Sequence, residues 1–387
     1  MRIGIEAQRI FRPNKHGMDI VTIELIRHLQ KIDLTNEYFI FVRKDKDICL
    51  FETPNFKIVL LPSFNYAVWE QIILPIEANK YNLDILHCTS NTAPLFVKAK
   101  LIVTIHDIIY LEKTNNLSQY KSWYQKLGNI YRAWNIPNII RKTDAVITVS
   151  DYEKSIINKH FQIADNKVVA IHNGVSEKFK ANYPNSFYNS IKSKYNLPNY
   201  FLFFLGNKDP KKNLINTLMA YHLVWMEHKI PLVIADISQS YLKELIIKLK
   251  MDESILKSIF LPGYIKNEDL PGVYHLSSVF LYTSLRESFG LPLLEAMACG
   301  VPVITSNTSS MPEIAYNSAV FVNPTDAMSI AKGIMDVLTN PLLSNHLKEQ
   351  GKTHVQKFTW IEVAEKTLAI YHKVFDQKKY SLSIKNH

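Results

Sequence analysis

Short apolar runs and longer stretches of helical period alternate along the chain. Residues 2–6 form a first strand-like run, and Ile20, Ile23, Ile26 and Leu29 then recur at helical spacing. Strand-like runs follow at 38–42, 58–61, 84–87, 101–105, 145–149 and 167–171, with helical stretches such as 68–80 between some of them. Ser150 is a suitable cap for a helix opening at Asp151. This alternation predicts a parallel sheet with helices on both faces. Residues 180–198, rich in Asn, Ser, Pro and Lys, read as a linker. The pattern then begins again. An uninterrupted apolar run at 200–205 predicts a buried strand, and a helix starts at Leu214. Strands are expected at 231–235, 258–261 and 279–282 and at Val303-Ile304, with a short helix at 270–276. The fold class is therefore α/β with two domains, expected at 1–180 and 181–359. A last helix at about 360–378 carries Trp360, Val363, Leu368, Tyr371 and Val374, with Thr359 as its cap.

Composition narrows the partners. The 387 residues are 47% apolar and 21% charged, enough for two ordinary cores. A net charge of +10 favours anionic partners: nucleotide phosphates, lipid headgroups or nucleic acid. Cys49, Cys88 and Cys299 lack metal-ligand spacing and argue against a disulfide scaffold, which fits a reducing compartment. The first residues lack a secretory apolar core, and no apolar run approaches the roughly 20 residues that span a bilayer. The expected location is cytoplasmic, with any membrane contact peripheral, at the inner face. Residues 113–142 bear on that contact. They hold Lys113, Lys121, Lys126, Arg132, Arg141 and Lys142 and no Asp or Glu, with Tyr120, Trp123, Tyr124, Leu127, Ile130, Tyr131 and Trp134 at helical spacing. Two readings stay open: an amphipathic helix with its aromatic face in the core, or a basic, aromatic surface for anionic lipid or a lipid-linked acceptor. No nucleic-acid motif accompanies the charge, so nucleic acid is not an expected partner.

Several strand ends carry candidate chemistry, as open α/β sheets lead one to expect. The loop at 9–17 ends in His16-Gly17, but its one glycine makes no G-x-G-x-x-G, which disfavours a nicotinamide dinucleotide. Asp45-Lys46-Asp47 has the D-x-D form of a metal site, yet sits in a run of charges and reads as a solvated loop. His106-Asp107 directly follows the strand at 101–105. Gly206-Asn207-Lys208-Asp209-Pro210-Lys211-Lys212-Asn213 sets three lysines at a strand-to-helix turn, a candidate diphosphate clamp. The stretch 284–300 follows another strand and turns into a helix through Gly290 and Pro292. Backbone N–H groups around Phe289, Gly290 and Leu291 suit an anion there. Glu287 and Glu295 flank this seat, and an ionised carboxylate accepts two hydroxyls at once, as a sugar or ribose diol offers.

Glu287 and Glu295 stand in the run E-S-F-G-L-P-L-L-E-A-M-A-C-G-V-P-V. This resembles the E-x7-E signature of retaining nucleotide-sugar glycosyltransferases of family 4. The resemblance covers essentially the whole chain and is strongest at 201–213 and 263–313. It implies the GT-B fold: two Rossmann-like, doubly wound parallel-sheet domains facing a central cleft, with the terminal helix returning to the first, acceptor-side domain. His172-Asn173-Gly174-Val175 resembles the family's crossing into the second, nucleotide-sugar-binding domain. The substrate is then a nucleotide-diphosphate sugar, with no further cofactor and no metal. Lys212 matches the second basic residue of the family's G-x-x-x-P-[RK]-K-N turn, beginning at Gly206, and is expected to hold the diphosphate. Asn207 stands where relatives carry arginine, leaving Lys208 or Lys211 to supply a second charge. The resemblance gives Glu287 the sugar hydroxyls, Glu295 the ribose, and Ile265 a place beside the base. His106 is expected to hydrogen-bond the transferring sugar, without acting as a nucleophile. Gly17 and His16 fall in the acceptor loop, with Asp19 where a small residue is common. The expected reaction is hexosyl transfer to a glycan or lipid-linked glycan. The alternatives are a nucleotide-sugar epimerase or hydrolase of the same architecture, or a non-catalytic nucleotide-binding subunit of a glycan assembly complex.

Overall fold

The structure is a computed structural model describing residues 1–13, 15–62, 65–111 and 123–385, with side-chain surroundings given outside 123–126 and 377–385. It divides into two compact units: Met1–Gly174 with the chain from Thr359 onward, and Val175–Phe358.

The first unit is built on a seven-stranded parallel sheet. Its strands are β1 (Arg2–Glu6), β2 (Glu37–Arg43), β3 (Phe56–Leu61), β4 (Ile85–Cys88), β5 (Lys100–Thr104), β6 (Ala145–Thr148) and β7 (Val168–Ala170), in spatial order β3-β2-β1-β4-β5-β6-β7. Both faces are covered, which is why β2 reads as a continuous apolar run. Tyr38, Ile40 and Val42 face one core cluster, with Ile23 and Ile26 of helix Gly17–Ile32 and Tyr371 of helix Trp360–Lys385. Phe39 and Phe41 face the other, with Ile136, Ile139 and Ile140 of helix Trp123–Lys142. His87 ties the terminal helix to the sheet: Nδ1 lies 2.7 Å from Tyr371 Oη and Nε2 2.8 Å from Thr104 Oγ1. The chain returns to this unit past Gly174, where a Cβ would meet Trp360 N at 2.4 Å, so only glycine fits the close approach.

The second unit repeats the plan with β8 (Leu202–Leu205), β9 (Leu232–Ala235), β10 (Ile259–Gly263), β11 (Val279–Tyr282), β12 (Val303–Ser306) and β13 (Val320–Val322). The spatial order is β10-β9-β8-β11-β12-β13, all parallel. Leu202 and Phe204 pack with Leu218 and Tyr221 of helix Leu214–His228. On the opposite face Phe203 meets Phe280 and Tyr274, with ring centroids 5.6 and 5.5 Å away. In each sheet strand order reverses once, between β1 and β4 and between β8 and β11, and crevices at such reversals take ligands.

Two expectations change. Residues 180–198 do not run as a plain linker. Helix Asn185–Lys194 forms within them because Ile191 and Phe187 pack against Gly272 of helix Leu270–Leu276, leaving the polar face to solvent. The division accordingly falls at Gly174–Val175, ahead of 180. The helix expected at 68–80 is interrupted by a π turn, Trp69–Ile73, closed by the Leu74 N–H on the Trp69 carbonyl. Pro75 follows at once and has no N–H for an ordinary α-helical bond to Gln71, so the wider turn relieves the mismatch.

Candidate functional site

The lysine turn and the glutamate loop follow β8 and β11, the two strands at the reversal of the second sheet. The turn is self-built: Asn207 Oδ1 accepts from the Asp209 N–H at 2.8 Å, and Asp209 Oδ1 accepts from the Lys211 N–H at 3.1 Å. Gly206 is required because a Cβ would lie 2.1 Å from Phe204 Cε1. Asn213, left-handed at φ 63°, then staples the turn in place. Its side-chain amide donates to the Thr283 carbonyl at 2.8 Å and the Pro324 carbonyl at 2.7 Å. The Leu285 N–H donates to the Lys211 carbonyl at 2.7 Å, so the two loops are hydrogen-bonded to each other.

This fixes the charged pair. Lys212 Nζ lies 2.7 Å from Glu287 Oε1 and sits over the Tyr282 ring, 5.3 Å from its centroid. Gly290 abuts the same ring: a Cβ there would be 3.3 Å from Tyr282 Cε1, and its φ of 103° favours glycine in any case. Lysine turn and helix start thus flank one aromatic side chain. Helix Leu291–Ala298 begins immediately, and Pro292 has no N–H, so Gly290 and Leu291 supply the donors at its mouth. The loop after β12 clamps the backbone, with Ser310 Oγ donating to the Glu287 and Phe289 carbonyls at 3.0 and 3.1 Å.

The two glutamates are held in opposite states. Burial pushes the Glu287 carboxyl up, but the charges of Lys212 and Lys211 and hydrogen bonds from Lys212 and Ser284 outweigh it and leave the group below its ordinary range. For Glu295 burial wins: its carboxyl rises to about 7, partly offset by the Lys178 charge and a 3.4 Å hydrogen bond from Tyr274. Glu287 is therefore a fixed anion, while Glu295 titrates near neutrality.

In the first unit His106 lies just beyond β5 and is buried. Its Nε2 is 2.9 Å from the Thr89 carbonyl, which can only accept, so Nε2 carries the proton and Nδ1 presents a lone pair. Burial lowers the ring's basicity and keeps it neutral. Its N–H donates to Asn91 Oδ1 at 2.6 Å. At the β1–β4 reversal, Glu6 accepts from the Gln8 N–H at 2.9 Å and the Thr89 N–H at 3.3 Å, and burial raises its carboxyl. His16 and Gly17 are exposed at the start of helix Gly17–Ile32. Asp19, in place of a small residue, is buried, accepts from the His16 N–H at 2.7 Å and pairs with Arg12.

The structure thus brings Gly206, Lys211, Lys212, Glu287, Gly290 and Leu291 to one place in the second unit. Ile265 is buried just beyond the left-handed Gly263. Of the two open candidates for a second charge, Lys211 acts on Glu287, whereas Lys208 lies over the Tyr241 ring at 4.8 Å. Asn207 spends its side chain on the turn itself. Sequence reasoning gave no role of their own to Asn213, Tyr282 and the buried Arg286, whose Nη1 donates to the Glu287 carbonyl at 2.8 Å. An Asn after the lysine pair and an Arg beside the glutamate were the available signals. Asp47 of the D-x-D run pairs with Lys15, and Asp45 lies 3.6 Å from Arg43. Within 113–142, residues 113–122 fall outside the described residues. Of the remainder, Asn135, Ile136, Ile139 and Ile140 are buried, but Leu127, Ile130 and Trp134 are 60%, 65% and 51% exposed. The core is therefore met by a different face, at Ile136, Ile139 and Ile140, while of the expected aromatic face Leu127, Ile130 and Trp134 are exposed and Tyr131 is partly buried.

Comparison with known proteins bears on this arrangement. Residues 16–179 match the model described as Glycosyltransferase Family 4, and residues 188–354 the model described as Glycosyl transferases group 1. The chain is 31% identical over 274 residues to the serotype-specific mannosyltransferase WbdA of Escherichia coli, covering 68% of this chain and 32% of WbdA. It thus spans about a third of that relative's length. It is 26% identical to the O-antigen chain mannosyltransferase B of Escherichia coli over 70% of each chain. Among solved structures, Anabaena HepE in complex with UDP superposes with a TM-score of 0.72 at 16% identity, over 96% of this chain and 100% of that one.

Proposed function

The chain belongs to the family-4-like GT-B glycosyltransferases, and from that premise we propose that it moves a hexosyl group, mannosyl in the first instance, from a nucleotide-diphosphate sugar to a glycan or lipid-linked glycan, retaining the anomeric configuration. The observation that carries this reading is the Lys212–Glu287 pair at the mouth of helix Leu291–Ala298. Cleaving the anomeric C–O bond builds negative charge on the leaving diphosphate and positive charge on the sugar. Lys212, Lys211 and the N–H groups of Gly290 and Leu291 would stabilise the first without reorganising. Lys212 has three protons and can bond Glu287 and a phosphate together. Neutralisation by these groups requires no metal. Glu287, held ionised, would orient the sugar hydroxyls, Glu295 the ribose, and His106 Nδ1 would accept from a sugar hydroxyl. The leaving phosphate would take the acceptor's proton as the acceptor attacks the same face.

The mannosyl assignment draws on the named relatives, two of which are mannosyltransferases. A lipid-linked acceptor is supported by the exposed Leu127, Ile130 and Trp134, which share one helical face with the exposed Arg141. No helix among the described residues is long and apolar enough to cross a membrane, so we assign this face to peripheral contact with the cytoplasmic leaflet. The test is turnover of a panel of nucleotide sugars by the purified chain, with Lys212→Ala and Glu287→Ala as controls. Acceptor-dependent product from one donor, lost in both variants, is expected. Donor consumption without acceptor would mark an epimerase or hydrolase, and unchanged activity in both variants would remove these residues from the mechanism.

A further inference from the structure

We propose that the second unit carries a second anion site, separate from the lysine turn, that takes a phosphorylated monosaccharide. A cavity of about 260 Å³ opens beside the far end of helix Leu291–Ala298, lined by Lys180, Tyr183, Tyr188, His275, Cys299 and Lys352 among others. It shares no residue with the turn at 206–213 or the loop at 284–291. The helix has eight residues, so its two ends stand about 12 Å apart.

The lining has a definite sign: it includes two lysines and a histidine and no carboxylate. The lysine partners lie outside it. Lys180 Nζ is 3.0 Å from Glu177, and Lys352 Nζ is 3.4 Å from Glu349. Those carboxylates are 81% and 75% exposed, and such pairs contribute little, so a phosphate dianion competes for both ammonium groups. The placement of Lys352 is built into the backbone. Gly300 has φ 72°, and a Cβ there would fall 2.5 Å from Lys352 Cε. Glycine therefore lets the lysine stem lie across the end of the helix. Helix carbonyl ends repel anions, and the ammonium lying there offsets that repulsion.

The uncharged part of the lining suits a sugar. The His275 ring stacks on Tyr188, with centroids 4.1 Å apart and planes 18° apart. Burial and the nearby Lys352 charge lower the basicity of His275, so at neutral pH it offers one donor and one acceptor to hydroxyls. The Tyr183 hydroxyl donates to the Lys178 carbonyl at 3.0 Å, which fixes its ring in the wall. Size decides against a nucleotide sugar: the cavity is smaller than the roughly 300–1,000 Å³ of sites for drug-sized ligands.

The experiment is calorimetric titration of the full chain with mannose 6-phosphate and glucose 6-phosphate, with inorganic phosphate and free hexose as separate arms. A hexose phosphate is expected to bind more tightly than phosphate, and free hexose not to bind. Lys352→Ala should weaken binding at least tenfold, Lys352→Arg should restore it, and Lys212→Ala should leave it within twofold. Absence of binding overturns the site, as does loss in both alanine variants or in neither. Phosphate binding as tightly as the hexose phosphates overturns the sugar assignment.

Discussion

The two sheets reverse strand order in the same way, yet the crevices at the two reversals are lined by opposite chemistry. Between β8 and β11 the side chains are charged and paired: Lys212 on Glu287, with Lys211 beside them. Between β1 and β4 they are buried and hydrogen-bonded by uncharged groups, with the Arg9 charge acting on Glu6 and His106 from nearby. Glu6 rests on backbone N–H groups of Gln8 and Thr89, and His106, beyond the next strand, is uncharged with Nδ1 as an acceptor. One fold thus carries an ion pair on joined loops in one unit and buried groups hydrogen-bonded by uncharged partners in the other. The first suits a diphosphate, whose charge must be matched. On the proposed function the second would meet a sugar, whose hydroxyls need oriented partners.

The sharpest way to break this comparison is to remove charge on one side and a neutral acceptor on the other. Lys212→Ala should lower kcat/KM by about 10²–10³-fold, the range seen when one preorganised donor is removed. His106→Ala should cost less, about tenfold to a hundredfold, and should leave nucleoside-diphosphate affinity unchanged. Steady-state kinetics combined with calorimetry separates the two, and equal loss of diphosphate binding in both variants would erase the distinction. Asn213→Ala probes the staple beneath the charged side. It strands two buried carbonyls and puts alanine at φ 63°, costing about 2–4 kcal/mol. Thermal unfolding should then fall by roughly 5–10 °C.

The smallest effect concerns pH. Glu295 has its carboxyl at about 7, so it loses its charge as pH falls through neutrality. The donor KM should rise below pH 7 in the wild type and become flat in Glu295→Gln. Stability runs the other way. The folded chain holds a proton on Glu295 that the unfolded chain releases near its ordinary value of 4.5. The contribution is thus present at low pH and is lost as pH rises through about 7. A denaturant midpoint that does not respond to Glu295→Gln across this range would contradict it.

The legible parts of the sequence were those where local rules act alone. Parallel strands buried on both faces read as apolar runs, and β2 and β8 are visible for that reason. Gly290 and Pro292 announce a helix start whatever surrounds them. Helix Asn185–Lys194 was missed because its polar residues dominate the composition, while Phe187 and Ile191 only acquire meaning against Gly272, some 80 residues on. Asn213 looked like the end of a turn, and its function as a staple depends on carbonyls at 283 and 324. The state of Glu295 was likewise hidden, since burial sets it and sequence does not report burial. The pairing of Lys212 with Glu287 follows only from β8 and β11 being neighbours.

The central claim is that the lysine turn grips the donor through its diphosphate. Calorimetric binding of a nucleoside diphosphate and the matching nucleoside monophosphate to wild type and Lys212→Ala tests it most directly. The account predicts that the wild type prefers the diphosphate by at least tenfold and that Lys212→Ala binds both alike. A preference that survives the substitution undiminished would contradict it.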